Sequence, residues 1–451
     1  MSGTATDADT LYERAVEKEL SGDLDGAFAS YVQATQSYLH QSRATKSNAQ
    51  REKLKSSASR SLERAEKIKA AKRDLQRVKM DTFSSEYQSY VLSRSSSRRG
   101  VRIPQWKTLP ATDASQSSLF EDPENALFVQ STTSVCSWRR ARDVFPDSEM
   151  HSTTLEPHDL LQGNPSDCSV IASLAVCLNH HRLFGSYLGL SALYPQDPQG
   201  LPIDSPSGMH RAKLLLNGGL REVLIDDLLP IGEHNAPVCA ISSGGKALWP
   251  TLLEKAYLKS NGGYGFSGSN SCSDVYAVTG WVPELISLTR STTHRIPLWE
   301  RLLEGHATGR CVITINTPIE ATPFGLIPNH SYAVLKLFTS EGRQMVTLLD
   351  SQYTSEPASV KPPLNIDWDD VCDQFSAVSI NWDPIRFPNT RLFHFEWPGN
   401  AKGQSSNHRY RVHTPTSRPP LTQSESSSLN EVWCLLTRHT RLESDDRCLH
   451  R

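Results

Sequence analysis

Apolar side chains recur at intervals of three and four residues through the first part of the chain, up to about residue 78. This spacing places them on one face of a helix, and the turn-forming residues 21–27 and the polar residues 41–48 divide the pattern into three parts. We therefore predict three amphipathic helices between residues 8 and 78. The apolar positions are Leu11, Ala15 and Val16, then Ala27, Tyr31, Ala34 and Tyr38, then Leu54, Ala58, Leu62 and Ala65.

The pattern changes between residues 126 and 398, where short apolar runs of strand length alternate with helical periods. Strand-like runs occupy 221–230, 310–318, 331–338 and 344–350, and helical spacing occurs at 170–184 and 247–260. Such a mixture predicts an α+β domain.

Two segments have a different composition. Residues 79–125 contain SRSSSRRG, several prolines and few apolar clusters, which is typical of a linker that cannot offset the entropy lost on ordering. Residues 399–451 are rich in Ser and Pro and contain one strand-like run, LNEVWCLL. We predict a flexible linker over 79–125 and a polar tail over 399–451.

Charge and cysteine content exclude several classes of protein. The chain has 47 Lys and Arg against 49 Asp and Glu, so its net charge of −2 gives no sign of nucleic-acid or membrane-surface binding. No apolar run approaches the length of a membrane span, and the first residues lack a signal-peptide pattern. The 9 cysteines include no C-x-x-C pair, which argues against a disulfide framework and a zinc ribbon. We expect a cytoplasmic protein.

A local excess of basic residues lies between Arg43 and Lys79, a stretch that contains thirteen basic and four acidic residues. The third predicted helix should therefore display a basic face. Composition favours a solvated surface, and a binding surface for an acidic partner is the alternative.

Cys168 is the cysteine most suited to chemistry. Pro165 favours an extended residue before it, Asp167 is a preferred N-cap type, and helical periodicity follows at once. Cys168 should therefore lie in the first turn of a helix, where the helix dipole favours a thiolate. The alternative is a small buried apolar residue. We assign that role to Cys177, Cys239, Cys272, Cys311 and Cys372.

A thiolate nucleophile needs a partner that holds it as an ion pair and protonates the leaving amine. His330 begins one strand-like run, and Asp350 ends another, so the carboxylate could orient the imidazole. The order Cys, His, Asp with a long first interval matches the plan of papain-like proteases. A satisfied structural histidine is the alternative for His330.

Five stretches resemble the calpain family of cysteine proteases and occur in the family's order. LQGNPSDCSVIASL resembles Q-G-x-x-G-D-C-W-x-x-A, NHSYAV resembles G-H-A-Y-S-V, and REVLIDDLLPI, ALWPTLLEKAYLKSNGGY and VTGW lie between them. Residues 366–387 narrow the resemblance to calpain-like proteases of the PalB type, and the first helices resemble an MIT domain. The resemblance implies a papain-like fold with lobes over about 126–285 and 286–398, preceded by an all-α three-helix bundle.

The resemblance also implies roles for individual residues. Cys168 takes the place of the nucleophile, His330 that of the general acid and base, and Gln162 that of the side-chain donor in the oxyanion hole. Asp350 stands where the family has the Asn of N-P-W, so the third member and its shielding Trp are altered. Ser169 replaces the Trp that follows the nucleophile, which we expect to reshape the S1 wall.

The implied activity is that of a calpain-type cysteine endopeptidase performing limited proteolysis in ambient-pH signalling. The implied partners are a zinc-finger transcription factor as substrate and ESCRT-III subunits, bound by the MIT-like helices at endosomes. We expect no cofactor. Asp226 and Asp227 invite a calcium interpretation, but no EF-hand loop occurs and we interpret them as structural. Two alternatives are an adaptor without catalysis and a transglutaminase-like acyltransferase.

The end of the chain raises a separate expectation. The run LNEVWCLL resembles the first strand of the β-sandwich domain that follows the protease domain in this type of calpain. We expect residues 399–451 to contain this strand without its partners, which would leave apolar edges uncovered.

Overall fold

The computed structural model of the chain describes residues 7–20, 23–74, 84–98, 100–107, 118–125, 135–289, 294–320, 325–352, 362–388, 390 and 433–436. The described residues form two compact units, one up to Ser84 and one from Ser85 onward. The overall α+β composition agrees with the sequence prediction.

The first unit is a bundle of three helices, α1 (Asp7–Leu20), α2 (Leu24–Ala44) and α3 (Asn48–Asp74). The side chain of Asp23 caps α2 by accepting a hydrogen bond from the N–H of Gly26 at 2.9 Å. Small and aromatic side chains form the core, namely Ala15, Ala27, Tyr31, Ala65 and Ile68. The prediction of three amphipathic helices is confirmed.

Leu62 departs from the predicted apolar stripe of α3. Its side chain is 46% exposed, whereas Ala58, Ser61 and Ala65 are buried. The hydroxyl of Ser61 donates to the carbonyl oxygen of Tyr31 at 2.9 Å, so a polar residue occupies the contact with α2 that the pattern assigned to Leu62.

The second unit begins with α4 (Ser85–Arg94) and a hairpin of β1 (Ser97–Arg98) and β2 (Val101–Arg102). These elements are fixed by Arg221, a buried residue whose guanidinium donates to the carbonyl of Leu92 and the hydroxyl of Ser95. Ile103 is also fully buried in the core. The prediction of a flexible linker is therefore wrong for the described residues between 84 and 107, because a distant buried cation supplies stabilisation that local composition does not reveal.

The first lobe of the second unit packs two long helices and short sheets around one core. A three-stranded antiparallel sheet has the order β5-β6-β7, and β3 pairs with β8 and β4 with β9. The elements are β3 (Ser137–Arg140), α5 (Ala141–Val144), β4 (Leu160–Leu161), α6 (Cys168–Phe184), β5 (Leu193–Tyr194), β6 (Met209–Leu216), β7 (Gly219–Asp226), β8 (Leu228–Ile231), β9 (Ile241–Ser242), α7 (Trp249–Ser260) and α8 (Ser271–Thr279).

The second lobe is a six-stranded antiparallel sheet with the strand order β10-β15-β11-β12-β13-β14. It begins at β10, close to the boundary expected near residue 285. Its elements are β10 (Val282–Ser287), α9 (Arg295–Ala307), β11 (Cys311–Asn316), β12 (Ser331–Ser340), β13 (Arg343–Leu349), β14 (Leu364–Asp367), α10 (Trp368–Gln374) and β15 (Ala377–Trp382).

The β12–β13 hairpin determines the position of the candidate base. Ala333, near the start of β12, pairs with Leu349 at the end of β13. His330 directly precedes β12 and Asp350 directly follows β13, so antiparallel pairing brings these two residues to the same end of the sheet.

Buried ion pairs account for the acidic residues that invited a calcium interpretation. Lys255 and Asp226 are both fully buried and form an ion pair, and Asp227 pairs with Arg140. The Asp226 carboxylate also accepts from the backbone N–H of Asp122 at 2.7 Å. These carboxylates stabilise the first lobe, in agreement with their structural interpretation.

Four residues of the polar tail are described. Residues 433–436 form no strand, and the ring of Trp433 lies 5.2 Å from that of Phe387 and 6.5 Å from that of Trp382. The strand-like run predicted in this tail is therefore wrong over 433–436. The remainder of 399–451 lies outside the described residues.

We predict that Arg221→Gln loosens α4 and the β1–β2 hairpin without unfolding the sheet. The substitution removes hydrogen bonds from a charged donor, each contributing about 1.5–3 kcal/mol. Limited trypsin digestion followed by mass spectrometry should show faster cleavage between residues 84 and 107. The exposed Arg343, changed to Gln, is the control, and equal cleavage in both variants would contradict the prediction.

Candidate active site

Cys168 is the first residue of α6, as predicted, and its side chain is only partly buried. The carbonyl oxygen of Asp167 accepts hydrogen bonds from the N–H groups of Val170 and Ile171 at 2.8 and 3.1 Å, which places Asp167 at the N-cap. The side chain of Asp167 does not cap the helix, because it turns into the protein interior and is fully buried. The prediction of helix position is confirmed, and the prediction of a side-chain cap is wrong.

The five cysteines assigned to the core are all buried. Burial raises the pKa of the Cys177 thiol to about 12 and that of the Cys272 thiol to about 11. Such thiols remain protonated and inert at neutral pH. Cys168 is the partly exposed one that stands at the start of a long helix.

The ring of His330 joins the candidate nucleophile to the candidate carboxylate. Its Nε2–H donates to Oδ1 of Asp350 at 2.9 Å, and the ring lies close enough to Cys168 to interact electrostatically with its side chain. The structure thus brings together three side chains that are 162 and 20 positions apart in sequence. This arrangement can hold a thiolate beside an imidazolium.

Several contacts fix the His330 ring. Its backbone N–H donates to the hydroxyl of Thr317 at 2.9 Å. The rings of His330 and Tyr332 pack in a T-shaped arrangement with their centroids 4.9 Å apart. Asn329 has a φ of 50°, a left-handed conformation that Asn tolerates better than most residues and that the family's Gly adopts freely. The replacement of Gly by Asn is therefore compatible with this turn.

Electrostatics favour the protonated form of His330. Burial of the ring disfavours the charge, but the interactions with Asp350 and Cys168 outweigh this effect and raise the pKa of His330 to about 9. The imidazolium is therefore the dominant form at neutral pH. This is the charge that a neighbouring thiolate requires.

The site is shielded although the family's Trp is absent. The His330 side chain is 6% exposed and that of Asp350 is 13% exposed. The carboxylate also accepts from the backbone N–H of Gln352 at 2.9 Å. Tyr332 and the backbone of residues 350–352 thus limit solvent access to this ion pair.

Gln162 connects the nucleophile loop to the Asp350 loop. Its backbone N–H donates to the carbonyl of Ser351 at 2.7 Å, within an isolated bridge between Gln162 and Gln352. Its side-chain Nε2 donates to the carbonyl of Pro165 at 2.8 Å, and the residue is 8% exposed. The amide carries a second hydrogen that this contact does not use. The loop that this bond closes ends three residues before Cys168, the first residue of α6.

The residues that depart from the family pattern have defined surroundings. Ser169 is buried, and its hydroxyl lies 2.9 Å from that of Ser269, which in turn donates to Asp274 at 2.6 Å. Ser169 therefore joins a hydrogen-bonded chain that links it through the exposed Ser269 to the buried Asp274. Ser166 is exposed.

Sequence reasoning missed a group of buried acids beneath Cys168. Asp167, Glu254 and Asp274 are all fully buried. The helical period places Glu254 on the same face of α7 as the buried Leu258, a signal that an acidic residue points into the core. Trp249 and Tyr257 are buried on α7, which confirms their structural interpretation.

The described residues contain neither a candidate metal site nor a helix that could span a membrane. Among them, no group of three or more His, Cys, Asp or Glu side chains is arranged to hold a metal ion. Within the same part of the chain, the helices are too short or too polar to traverse a lipid bilayer.

Comparison with known proteins gives a consistent picture. The family model described as calpain family cysteine protease matches residues 110–353. Calpain-like protease palB/RIM13 of Cryptococcus neoformans is 33% identical over 95% of this chain and 53% of its own length. Calpain-like protease palB/cpr-8 of Neurospora crassa is 30% identical over 77% of this chain and 40% of its own, and mouse Calpain-7 is 30% identical over 69% and 42%.

The chain spans about half the length of these curated relatives. The matched family region contains both Cys168 and His330 and ends just beyond Asp350. A match over more than half of the chain, together with the two-lobed arrangement that carries these residues, shows that this protein belongs to the calpain family of cysteine proteases.

Proposed function

We propose that the second unit is a calpain-type cysteine endopeptidase. The observation that carries this proposal is the buried imidazole of His330, which is hydrogen-bonded to Asp350 and lies close enough to Cys168 to interact with it electrostatically. An imidazole between a carboxylate and a thiol at the start of a helix has the parts needed for nucleophilic attack on a peptide carbonyl.

The reaction begins with the ion pair of the Cys168 thiolate and the His330 imidazolium. The sulfur attacks the scissile carbonyl carbon, and the imidazolium protonates the leaving amine as the C–N bond breaks. The neutral imidazole then removes a proton from water, which attacks the acyl-enzyme and releases the carboxylic acid and the free thiol. Asp350 orients the ring throughout by accepting its Nε2–H.

The oxyanion of each tetrahedral intermediate needs aimed donors. We assign this role to the backbone N–H of Cys168 and to the amide of Gln162, which the family resemblance places there. The contact of Gln162 with Pro165 and its backbone bond to Ser351 support this role because they hold the amide close to the start of α6. Loss of one such donor costs about a hundredfold or more in turnover.

The biological setting is also a proposal. The names of the fungal relatives, together with the resemblance to the PalB type, support limited proteolysis of a regulatory protein in ambient-pH signalling. The substrate we propose is a zinc-finger transcription factor, cleaved in the cytoplasm.

The helical bundle supports a second, recruiting role. We propose that α1–α3 act as an MIT domain that binds the acidic helical tails of ESCRT-III subunits on endosomes. The exposed Leu62 of α3 offers an apolar contact beside basic residues such as Lys55 and Lys69 of the same helix. An acidic amphipathic helix matches this combination of apolar and basic groups.

We predict that Cys168→Ala abolishes cleavage while the fold is retained. Labelling with an epoxysuccinyl thiol-protease probe, followed by peptide mapping, should modify Cys168 in the wild-type protein only. Cys434→Ala is a matched control because that thiol is also accessible. Labelling at another cysteine would overturn the assignment of Cys168 as the nucleophile. Intact processing or signalling with Cys168→Ala would favour an adaptor without catalysis.

We predict that Asp350→Asn shifts the alkaline limit of activity to lower pH. His330 has a raised pKa of about 9, so the active imidazolium persists below that pH and is lost as pH rises through it. Removing the neighbouring negative charge should lower this limit by about one to three pH units.

The measurement is kcat/KM against pH between 5 and 10, at about half-unit intervals. Asp369→Asn, at an exposed acid of the same lobe, should leave the profile unchanged. An unaltered alkaline limb in Asp350→Asn would show that Asp350 does not control the protonation of His330.

We predict that Leu62→Asp in the full chain weakens capture by an ESCRT-III tail peptide about tenfold or more, because it places a negative charge where an acidic helix binds. Fluorescence anisotropy with the labelled peptide measures the affinity. Ile385→Asp, at an exposed apolar residue of the second unit, is the control. Equal affinity of the two variants would overturn the recruiting role.

A further inference from the structure

Two carboxyl groups meet beneath the nucleophile. Asp167, the residue before Cys168, and Glu254 of α7 are both fully buried, and they lie close enough for each to influence the pKa of the other. Neither belongs to the catalytic steps described above.

The hydrogen-bond partners of this pair are incomplete. Oε1 of Glu254 accepts from the backbone N–H of Ala240 at 2.9 Å. Oε2 of Glu254 and both side-chain oxygens of Asp167 have no hydrogen-bond donor among the described residues. Three buried acceptor oxygens without a donor are strongly unfavourable, whereas a proton held between two carboxyl groups satisfies both sides.

Other charged groups around the pair oppose full ionisation. Asp274 of α8 lies close enough to repel a negative charge on Asp167, and its own oxygens accept from Tyr257 and Ser269. The cation of Lys255 is engaged by Asp226. Tyr264 and Cys239, the remaining ionisable neighbours, are buried with strongly raised pKa values, so they stay neutral.

The direction of the pKa shifts agrees with this geometry. Burial is the main cause, and it raises the pKa of Asp167 to about 7, while the neighbouring Glu254 and, to a lesser extent, Gln162 favour the ionised form. Burial and the charge of Asp167 together raise the pKa of Glu254 well above its ordinary value. The pair therefore retains at least one proton at neutral pH.

We propose that Asp167 and Glu254 share a proton and act together as a positioning pair. The pair fixes Cys168 relative to residues 162–165, which carry Gln162 and are called the oxyanion loop below. The proposal deepens the proposed function and rests on it for the role of Cys168. The pair itself does not touch substrate.

The backbone around the pair explains how it positions the sulfur. Through Glu254, the start of α6 is connected to the N–H of Ala240. The oxyanion loop docks on the same segment, because the N–H of Asn164 donates to the carbonyl of Val238 at 2.8 Å. A Cβ on Gly163 would lie 2.1 Å from that carbonyl, so no side chain fits between loop and segment. Cys168 and Gln162 are thus both positioned relative to residues 238–240.

The test compares two substitutions of Glu254 in the full chain. In Glu254→Gln, the amide oxygen can accept from Ala240 and the amide N–H can donate to Asp167, which replaces the shared proton by a permanent one. In Glu254→Ala, Asp167 is left buried without a partner. Glu233→Gln, at an exposed acid of the same lobe, is the matched control.

The first measurement is the rate of alkylation of Cys168 by iodoacetamide, mapped by mass spectrometry. We expect Glu254→Ala to slow it about tenfold or more, since a small displacement of a reactive group has large kinetic effects. We expect Glu254→Gln to retain the wild-type rate within about threefold, because it preserves both hydrogen bonds.

The second measurement is urea unfolding between pH 5 and 8.5, followed by tryptophan fluorescence. Residues 1–84 contain no tryptophan, so the signal does not come from the helical bundle. Carboxyl groups with raised pKa values in the folded state release protons on unfolding, so stability is present at low pH and falls as pH rises above about 4. Glu254→Gln should release about one proton fewer on unfolding. The unfolding constant should therefore change about tenfold less per pH unit than in the wild-type protein.

The outcomes are decisive in both directions. A wild-type pH dependence of unfolding in Glu254→Gln would rule out the shared proton, and a wild-type alkylation rate in Glu254→Ala would rule out positioning. If Glu254→Ala does not fold, slow alkylation of folded Glu254→Gln still overturns the proposal. Unfolding is measured without substrate, so the test of the shared proton does not depend on protease activity. A protein that shows no protease activity would count only against the proposed function.

Discussion

Burial of α6 from both sides is the constraint on which the active-site arrangement depends. Every residue from Ser169 to Leu178 is buried, and the core around the helix includes Val312, Ala333 and Leu349 from the second lobe. Close packing allows such a helix little freedom to shift or rotate. The sulfur at its first residue is therefore held in a fixed place between a lobe of helices and a lobe of antiparallel strands.

The second lobe delivers the base by a separate principle. Antiparallel pairing of β12 and β13 brings the residue before one strand and the residue after the other to the same edge. The His330–Asp350 contact is set up by hairpin register, because the two residues flank paired strands. This explains how the site keeps a hydrogen-bonded base although the Asn-Pro-Trp pattern of the family is absent.

The two lobes that flank the active site favour opposite charge states: one favours a charged side chain and the other favours uncharged side chains. On the side of the sheet, Asp350 and Cys168 favour a charged imidazole. On the side of the helices, burial favours uncharged carboxyl groups at Asp167 and Glu254. Unusual local chemistry of this kind, in which a buried acid departs from ordinary patterning, is concentrated at functional sites.

Local periodicity was sufficient to predict the three helices of the bundle, the strands β11, β12 and β13 of the second lobe and the place of Cys168 at a helix start. These features follow from the alternation of apolar and polar residues over short stretches, which one sequence contains in full. The strand-like runs and the order Cys, His, Asp indicated His330 and Asp350, which the structure places in contact, and resemblance to the calpain family added Gln162 as a candidate.

Tertiary structure alone decided the rest. The ordering of residues 85–102 depends on Arg221, the side chain of Asp167 turns inward to meet Glu254, and Leu62 points out of the bundle because Ser61 binds α2. Each outcome depends on a partner at least 30 positions away. Local sequence determines which elements form, whereas burial and hydrogen bonding between distant residues determine which side chains face each other.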